Sequence, residues 1–202
     1  LRLQVQDKRG HQYHPFYLIR YQMPQNLPQL RPLSLGHSFC IHSRLMRRVS
    51  GKGAMAVIGL SLEKTNELLS TYPNRLSAAV SNSPSSTVIS GDPRALEEVL
   101  ASLRSQNIFC RAVNVDVAAH SPQMEALRPE LVAALAGIRP QATSAPLFST
   151  VEGKQVDGTT LDAAYWGRNL RQPVLFSSAI QRLTEEGYSA FVECGPHPVL
   201  LS

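Results

Sequence analysis

The stretch Ala54-Met-Ala-Val-Ile-Gly-Leu60 decides the fold, because a short apolar run bounded by Gly53 and by Ser61 predicts a buried strand. Ser61 is a suitable N-cap for a helix that follows directly, and Glu63 lies in the first turn of that helix, where a negative charge is favourable. The apolar face of the helix consists of Leu62, Leu68 and Leu69. A strand followed by a helix is therefore predicted from residue 54 onward.

Three more strands and a second helix complete a small unit. The predicted strands are Leu76–Val80, Thr87–Ser90 and Ile108–Val115, and the first two flank a turn over residues 82–86. Asp92 and Pro93 predict a helix start, with Asp92 as N-cap and Pro93 at the first helical position. The apolar face of this helix consists of Leu96, Val99, Leu100 and Leu103. The β-α-β-β-α-β order predicts a ferredoxin-like arrangement.

Beyond this unit, helix and strand patterns alternate as in an α/β domain. One helix is predicted to start at Ser121-Pro122 and to stop at Gly137, with Met124, Leu127, Leu131 and Leu135 on one face. A second helix is predicted within Gln172–Glu186, and the predicted strands are Pro146–Val151 and Ala190–Cys194. The sequence thus predicts a second layer that begins after the small unit.

Composition excludes several classes of protein. The 202 residues are 43% hydrophobic, and the longest apolar run is too short to cross a bilayer. Three widely spaced cysteines fit neither a disulfide framework nor a zinc ribbon. Residues 1–50 carry eight Lys/Arg and one acid, whereas residues 51–202 carry twelve Lys/Arg and fourteen acids. Because the basic residues are scattered, nucleic-acid binding is disfavoured. We expect a piece of a larger cytoplasmic polypeptide, with neither a membrane nor a nucleic acid as partner.

The first forty residues differ from the rest. Four prolines interrupt them, and no helical or strand period is visible apart from a short possible strand around Phe16–Tyr21. We therefore predict that residues 1–40 form a poorly ordered or non-native segment.

Gly36-His37-Ser38 is the first candidate for chemistry. It is similar to a nucleophile elbow, in which a serine lies on a tight turn between a strand and a helix. That turn needs a second glycine two residues after the serine, and Cys40 occupies the position. A polar turn without catalytic function is the alternative interpretation of these residues.

His120 is the second candidate, because it directly precedes a predicted helix start. The positive end of a helix disfavours the imidazolium, and a neutral imidazole beside a cleft suits a general base. A surface or capping histidine is the alternative. Tyr165–Val174 and Glu193–Pro198 are further polar segments, for which a packed loop and a rigid turn are the simpler interpretations. The sequence contains no phosphate loop and no metal-ligand motif, so no metal site is predicted.

Five strings in order carry a resemblance to one family. They are Ser43-Arg-Leu-Met-Arg-Arg-Val-Ser-Gly-Lys-Gly-Ala-Met-Ala56, Asn82-Ser-Pro-Ser-Ser-Thr-Val-Ile-Ser-Gly-Asp92, Val115-Asp-Val-Ala-Ala-His-Ser-Pro-Gln-Met124, Tyr165-Trp-Gly-Arg-Asn-Leu-Arg-Gln-Pro-Val174 and Phe191-Val-Glu-Cys-Gly-Pro-His-Pro-Val-Leu200. From about Ile41 to the end, the chain resembles the acyltransferase domain of modular type I polyketide synthases, the malonyl-CoA:acyl-carrier-protein transacylase family, in an N-terminally truncated or disrupted form.

The resemblance implies an incomplete α/β-hydrolase-like subdomain, residues 41–51 and 117–202, with an inserted ferredoxin-like βαββαβ subdomain, residues 52–116. It also implies transfer of an extender acyl group from coenzyme A to the phosphopantetheine thiol of an acyl carrier protein through an acyl-serine. His120 matches the general base of the family. Asn169 matches a position whose backbone carbonyl orients that histidine. No tightly bound cofactor is implied, and neighbouring domains such as a ketosynthase are implied partners.

Two departures from the family pattern concern Ser38 and His42. Phe39-Cys40-Ile41 replaces the x-Gly-Glu that follows the family serine. Either a deletion fused the elbow to the next helix, which makes Ser38 the nucleophile, or Gly36-His-Ser38 is a coincidence. His42 stands where the family has an arginine that binds the malonyl carboxylate, and a histidine offers one donor instead of a bidentate fork.

Selectivity is indicated by Val117-Ala-Ala-His120. Val117 fits neither family pattern, and Ala119, where the malonyl pattern has Phe, leaves room for a branched extender such as methylmalonyl. Two other functions stay open, namely a catalytically inactive fragment and a serine thioester hydrolase of related fold.

Overall fold

The computed structural model describes residues 18–20 and 41–192. The strands are β1 (Leu18–Arg20), β2 (Ala54–Ile58), β3 (Leu76–Ser83), β4 (Ser86–Gly91), β5 (Cys110–Val113), β6 (Leu147–Ser149) and β7 (Lys154–Val156). The helices are α1 (residues 41–47), α2 (Leu62–Leu69), α3 (Pro93–Ser105), α4 (Arg128–Ala134), α5 (Ala163–Arg171) and α6 (Phe176–Glu185). Two 3-10 helices cover Pro122–Ala126 and Gly158–Thr160.

The predicted β-α-β-β-α-β order is confirmed. Strands β2 to β5 form one antiparallel sheet in the order β3-β4-β2-β5, which is the ferredoxin-like arrangement. Both predicted N-caps are present: the Ser61 side chain accepts a hydrogen bond from the Lys64 amide, and the Asp92 side chain accepts one from the Ala95 amide. The boundaries at residues 52 and 116 stay a prediction.

The two faces of this sheet pack against different partners, because successive side chains of a strand point to opposite faces. Ala56 and Ile58 of β2 belong to a core with the apolar faces of α2 and α3. Met55 of β2 and Val88 of β4 belong to a second core, formed with Leu131 and the other buried residues of the α/β part. The sheet is therefore buried on both sides.

The prediction of one continuous helix after Ser121 is wrong, because the structure has two shorter helices there. A 3-10 helix ends at Ala126 and α4 starts at Arg128, with Leu127 as the junction. Pro129 has no amide hydrogen and cannot bond to the carbonyl four residues back, which interrupts a continuous α-helix. The predicted apolar residues are buried as expected: Met124, Leu127, Leu131 and Leu135.

The second sheet is small and antiparallel, with the order β1-β6-β7. Strand β1 falls within the possible strand predicted around Phe16–Tyr21, and β6 lies inside the predicted strand Pro146–Val151. The predicted strand at Ala190–Cys194 is wrong as far as residue 192, because residues 190–192 are irregular. Strand β6 is already paired on both edges, so this segment finds no ladder there. The rest of that prediction lies outside the described residues.

Candidate active site

His120 lies in an unusual backbone conformation between the two parts of the chain. Its φ is 58°, in the left-handed region that a non-glycine residue adopts at a cost of about 1–3 kcal/mol. The hydroxyl of Ser77, on β3, donates a hydrogen bond to the His120 carbonyl over 2.9 Å. The Ser121 hydroxyl donates to the Ala118 carbonyl over 2.7 Å. These contacts hold the loop in its strained form.

The imidazole of His120 has a defined orientation. The ring is buried, and its Nδ1 lies 2.9 Å from the backbone carbonyl oxygen of Gln172. A carbonyl only accepts hydrogen bonds, so Nδ1 carries the proton in this contact. In the neutral ring the lone pair is then on Nε2, which is the atom that can take up a proton.

The carbonyl of Gln172 is available because of the residue that follows it. Gln172 caps α5 in an extended conformation, with φ −78° and ψ 156°. Pro173 disfavours a helical conformation at the preceding residue and has no amide hydrogen to continue the helix. The chain therefore leaves α5 at Gln172, and the carbonyl of that residue contacts His120.

The segment after Gln172 is fixed to the edge of the ferredoxin-like sheet. The Val174 amide donates to the Ala79 carbonyl over 2.8 Å, and the Ser81 amide donates to the Val174 carbonyl over 2.9 Å. Val174 thus forms a parallel bridge with Val80 of β3. One strand therefore holds both the loop of His120, through Ser77, and the segment that supplies the carbonyl partner.

A close backbone approach fixes the other side of the loop. A Cβ atom placed on Gly53 would lie 2.2 Å from the Ala118 backbone nitrogen and 2.5 Å from the Ala118 Cβ. Only glycine allows this approach, since a carbon atom at such a distance overlaps its neighbour. Gly53 therefore sets the position of the segment that leads to His120.

The other predicted site residues lie in the core around this loop. Val117 and Ala119 belong to the same buried cluster as Leu45 and Met46 of α1, the helix that also carries the buried His42. The structure thus places α1, the helix that carries His42, in the same cluster as Val117 and Ala119. Ser38 lies outside the described residues.

The prediction that the backbone carbonyl of Asn169 orients His120 is wrong. The backbone carbonyl at hydrogen-bond distance from Nδ1 of His120 is that of Gln172, the C-cap of α5, which lies three residues beyond Asn169. Asn169 is 5% exposed, and its Oδ1 has no hydrogen-bond partner. Sequence reasoning missed Gln172 and Ser77, and it interpreted Tyr165–Val174 as a packed loop where the structure has α5, the helix that Gln172 caps.

Tyr165 and Ser149 form a buried polar pair behind the site. Their hydroxyl oxygens are 2.9 Å apart, and the Ser149 hydroxyl also accepts a hydrogen bond from the Val151 amide. Burial raises the pKa of the Tyr165 phenol above its usual value near 10.0. The pair is therefore neutral and fixes the turn after β6 against α5.

The described residues include neither a cluster of metal-binding side chains nor a helix that could span a membrane. Among residues 18–20 and 41–192, no group of three or more His, Cys, Asp or Glu side chains could hold a metal ion. Over the same residues no helix has the length and apolar character needed to cross a membrane.

The site thus consists of a buried histidine that is oriented by a backbone carbonyl and held by the ferredoxin-like unit that packs on the α/β part. Residues 36–202 match the family described as acyl transferase domain, and the chain belongs to this family of transferases. It is 48% identical over 161 residues to the spectinabilin polyketide synthase system protein NorA' of Streptomyces orinoci. It is 45% identical over 159 residues to erythronolide synthase EryA2 of Saccharopolyspora erythraea. Each match covers 79% of this chain but only 4% of the relative.

Solved structures agree with this assignment. The acyltransferase domain from module 8 of the salinomycin polyketide synthase superposes with a TM-score of 0.81 at 41% identity, over 83% of this chain and 40% of that chain. The malonyl CoA-acyl carrier protein transacylase of Coxiella burnetii superposes with a TM-score of 0.77 at 23% identity, over 84% and 56% of the two chains. The first supports the family and the second the fold alone. The mixed α/β fold class and the resemblance to polyketide synthase acyltransferase domains are thus confirmed.

Proposed function

We propose that this chain transfers an extender acyl group of the malonyl or methylmalonyl type from coenzyme A to the phosphopantetheine thiol of an acyl carrier protein. The observation that carries the proposal is the orientation of His120, whose Nδ1 is bonded to the Gln172 carbonyl so that Nε2 is the basic atom. The family membership of residues 36–202 supports the same reaction class.

The proposed reaction has two half-reactions with Ser38 as the nucleophile. In the first, Nε2 of His120 takes the Ser38 hydroxyl proton, the Ser38 oxygen bonds to the acyl carbon, and the carbon–sulfur bond to coenzyme A breaks. The proton passes from His120 to the coenzyme A thiolate. In the second, the carrier thiol loses its proton to His120 and attacks the acyl-serine, whose carbon–oxygen bond breaks, and Ser38 recovers a proton.

The backbone carbonyl of Gln172 has the position that a carboxylate occupies in a Ser-His-Asp triad. It holds the tautomer and the ring orientation, and it stabilises the imidazolium that forms in each half-reaction. A carbonyl carries only a partial charge, so it stabilises the imidazolium less than a carboxylate does. Positioning is therefore the main contribution of Gln172.

In this proposal, three residues determine which acyl group the site accepts. Ala119 is small and buried beside Val117, which favours a branched extender such as methylmalonyl over malonyl. His42 replaces a permanent charge by one donor, which weakens the discrimination in favour of carboxylated acyl groups. One methyl group is worth about 1–3 kcal/mol of discrimination, so we expect a preference of about tenfold or more for methylmalonyl.

The proposal is tested by intact mass after a brief incubation with methylmalonyl-CoA, followed by peptide mapping of the adduct. We expect one methylmalonyl group on Ser38, absent in Ser38→Ala and strongly slowed in His120→Gln. No adduct on a chain shown to be folded would refute the proposal and support an inactive member of the family. Acylation of another residue would show that Ser38 is not the nucleophile.

Two comparisons test the finer parts. Product analysis with and without a carrier protein distinguishes transfer from hydrolysis, because a thioester hydrolase releases free acid in both cases. Acylation rates for malonyl-CoA, methylmalonyl-CoA and propionyl-CoA measure selectivity, and a malonyl rate that exceeds the propionyl rate by orders of magnitude would contradict the role given to His42. The proposal also includes the expected partners, an acyl carrier protein and neighbouring synthase domains such as a ketosynthase, and a cytoplasmic location.

A further inference from the structure

We infer that Ser77 is a positioning residue for the general base, and that strand β3 of the ferredoxin-like unit holds His120 in its productive conformation. This inference deepens the proposed function and rests on it. Ser77 is separated from His120 by 43 positions in the sequence, yet its hydroxyl donates to the His120 carbonyl over 2.9 Å. It acts through the backbone of the histidine and not on a substrate.

The strained backbone explains why this hydrogen bond matters. The φ of 58° at His120 gives the next peptide group a different direction from the one it has after an extended or helical residue. A hydrogen bond to the carbonyl of that peptide stabilises this direction relative to the unstrained alternatives. Without the donor, the backbone can relax, and the imidazole then leaves the Gln172 carbonyl.

The same strand also supports the partner of the ring. Val174 pairs with the edge of β3 through the Ala79 carbonyl and the Ser81 amide, and Gln172 lies two residues earlier. Both partners of the hydrogen bond from His120 to Gln172 thus lie in segments that are hydrogen-bonded to strand β3. The ferredoxin-like unit therefore aligns the catalytic histidine in addition to any contact with substrate.

Ser90 provides a matched control. It lies directly opposite Ser77 in the β3–β4 pairing, it is fully buried, and its hydroxyl has no hydrogen-bond partner. Ser77→Ala and Ser90→Ala therefore make the same chemical change on the same face of the same sheet. Only the first removes a hydrogen bond to the His120 loop.

The experiment compares the wild type with Ser77→Ala, Ser77→Thr and Ser90→Ala in the full chain. The first readout is the 15N chemical shift pair of the His120 ring, assigned with His120→Gln, which reports the tautomer without requiring activity. The second is the rate of acylation by methylmalonyl-CoA as a function of pH. Loss of one neutral hydrogen bond predicts a rate lower by about threefold to tenfold in Ser77→Ala.

We expect Ser77→Ala to shift the ring signals toward a mixture of tautomers and to change the pH profile, whereas Ser77→Thr restores both and Ser90→Ala changes neither. Unchanged ring signals and rate in folded Ser77→Ala would overturn the inference. Should Ser77→Ala not fold, Ser77→Cys takes its place, since a thiol is a weaker donor of similar size and predicts an intermediate effect. If no variant acylates but the ring signals respond to Ser77, the positioning role holds and the proposed function fails.

Discussion

Gly53→Ala is the substitution for which the structure gives the most direct estimate. The added Cβ would lie 2.2 Å from the Ala118 backbone nitrogen, and ordinary contact begins at 3.4 Å. The two backbones must therefore separate by about 1.2 Å, the difference between these distances. Ala118 lies two residues before His120, so the displacement reaches the histidine loop.

The expected cost has two parts. Overpacking of a buried site costs about 1–3 kcal/mol of unfolding free energy, which in a chain of this size lowers the melting temperature by roughly 2–12 °C. A misplacement of about 1 Å at a reacting group lowers the rate about a hundredfold. We therefore expect Gly53→Ala to lose far more activity than its moderate loss of stability explains.

Thermal unfolding and methylmalonyl-CoA acylation, measured on the same preparations, check this expectation. Gly137→Ala is the matched control, because Gly137 is exposed, has no positive φ, and has nothing within 4 Å of an added Cβ. We expect Gly137→Ala to stay within about 0.5 kcal/mol of the wild type. If Gly53→Ala matched Gly137→Ala in both assays, the close approach to Ala118 would not position His120.

Three further predictions follow from single contacts. Pro173→Ala restores an amide that can extend α5, so we expect the Gln172 carbonyl to leave His120 and the acylation rate to fall about tenfold. Pro84→Ala, at an exposed position, is the control, and an unchanged rate in Pro173→Ala would contradict the role of the carbonyl. Asp92→Ala removes the N-cap of α3 and should lower the unfolding free energy by about 1 kcal/mol in urea titrations at pH 7. The Ala95 amide and then Arg75 lower the pKa of Asp92 below its usual value near 3.8, so this contribution is complete above that pH and is lost as the pH falls through the lower folded value; a cost of Asp92→Ala that did not begin to fall as the pH dropped below 3.8 would count against it. Tyr165→Phe should cost about 1 kcal/mol at neutral pH. Because burial raises the pKa of Tyr165, the wild type should lose stability above pH 10 more steeply than the variant, and parallel alkaline curves would refute this.

Local signals predicted the ferredoxin-like unit well because they act within a few residues. Ser61 and Asp92 cap their helices through amides three residues away, and the alternation in β2 separates the two faces of the sheet. The break between the 3-10 helix and α4 was missed, although Pro129 is visible in the sequence. The strand predicted to begin at Ala190 is absent as far as residue 192, where the chain makes no ladder with β6, because β1 and β7 already pair with both edges of that strand.

The sequence by itself determined the order of elements in the ferredoxin-like unit, the caps Ser61 and Asp92, and the candidate histidine, since these depend on periodicity and on side chains close in the chain. Only the tertiary structure decided the surroundings of His120. Its ring meets the Gln172 carbonyl 52 residues away, and its backbone meets Ser77 43 residues away. Neither contact leaves a periodic trace in the sequence, because each joins residues that lie far apart in the chain and meet only when it folds. The left-handed φ of His120 has the same origin, since the surrounding contacts, and not the residue type, hold it there.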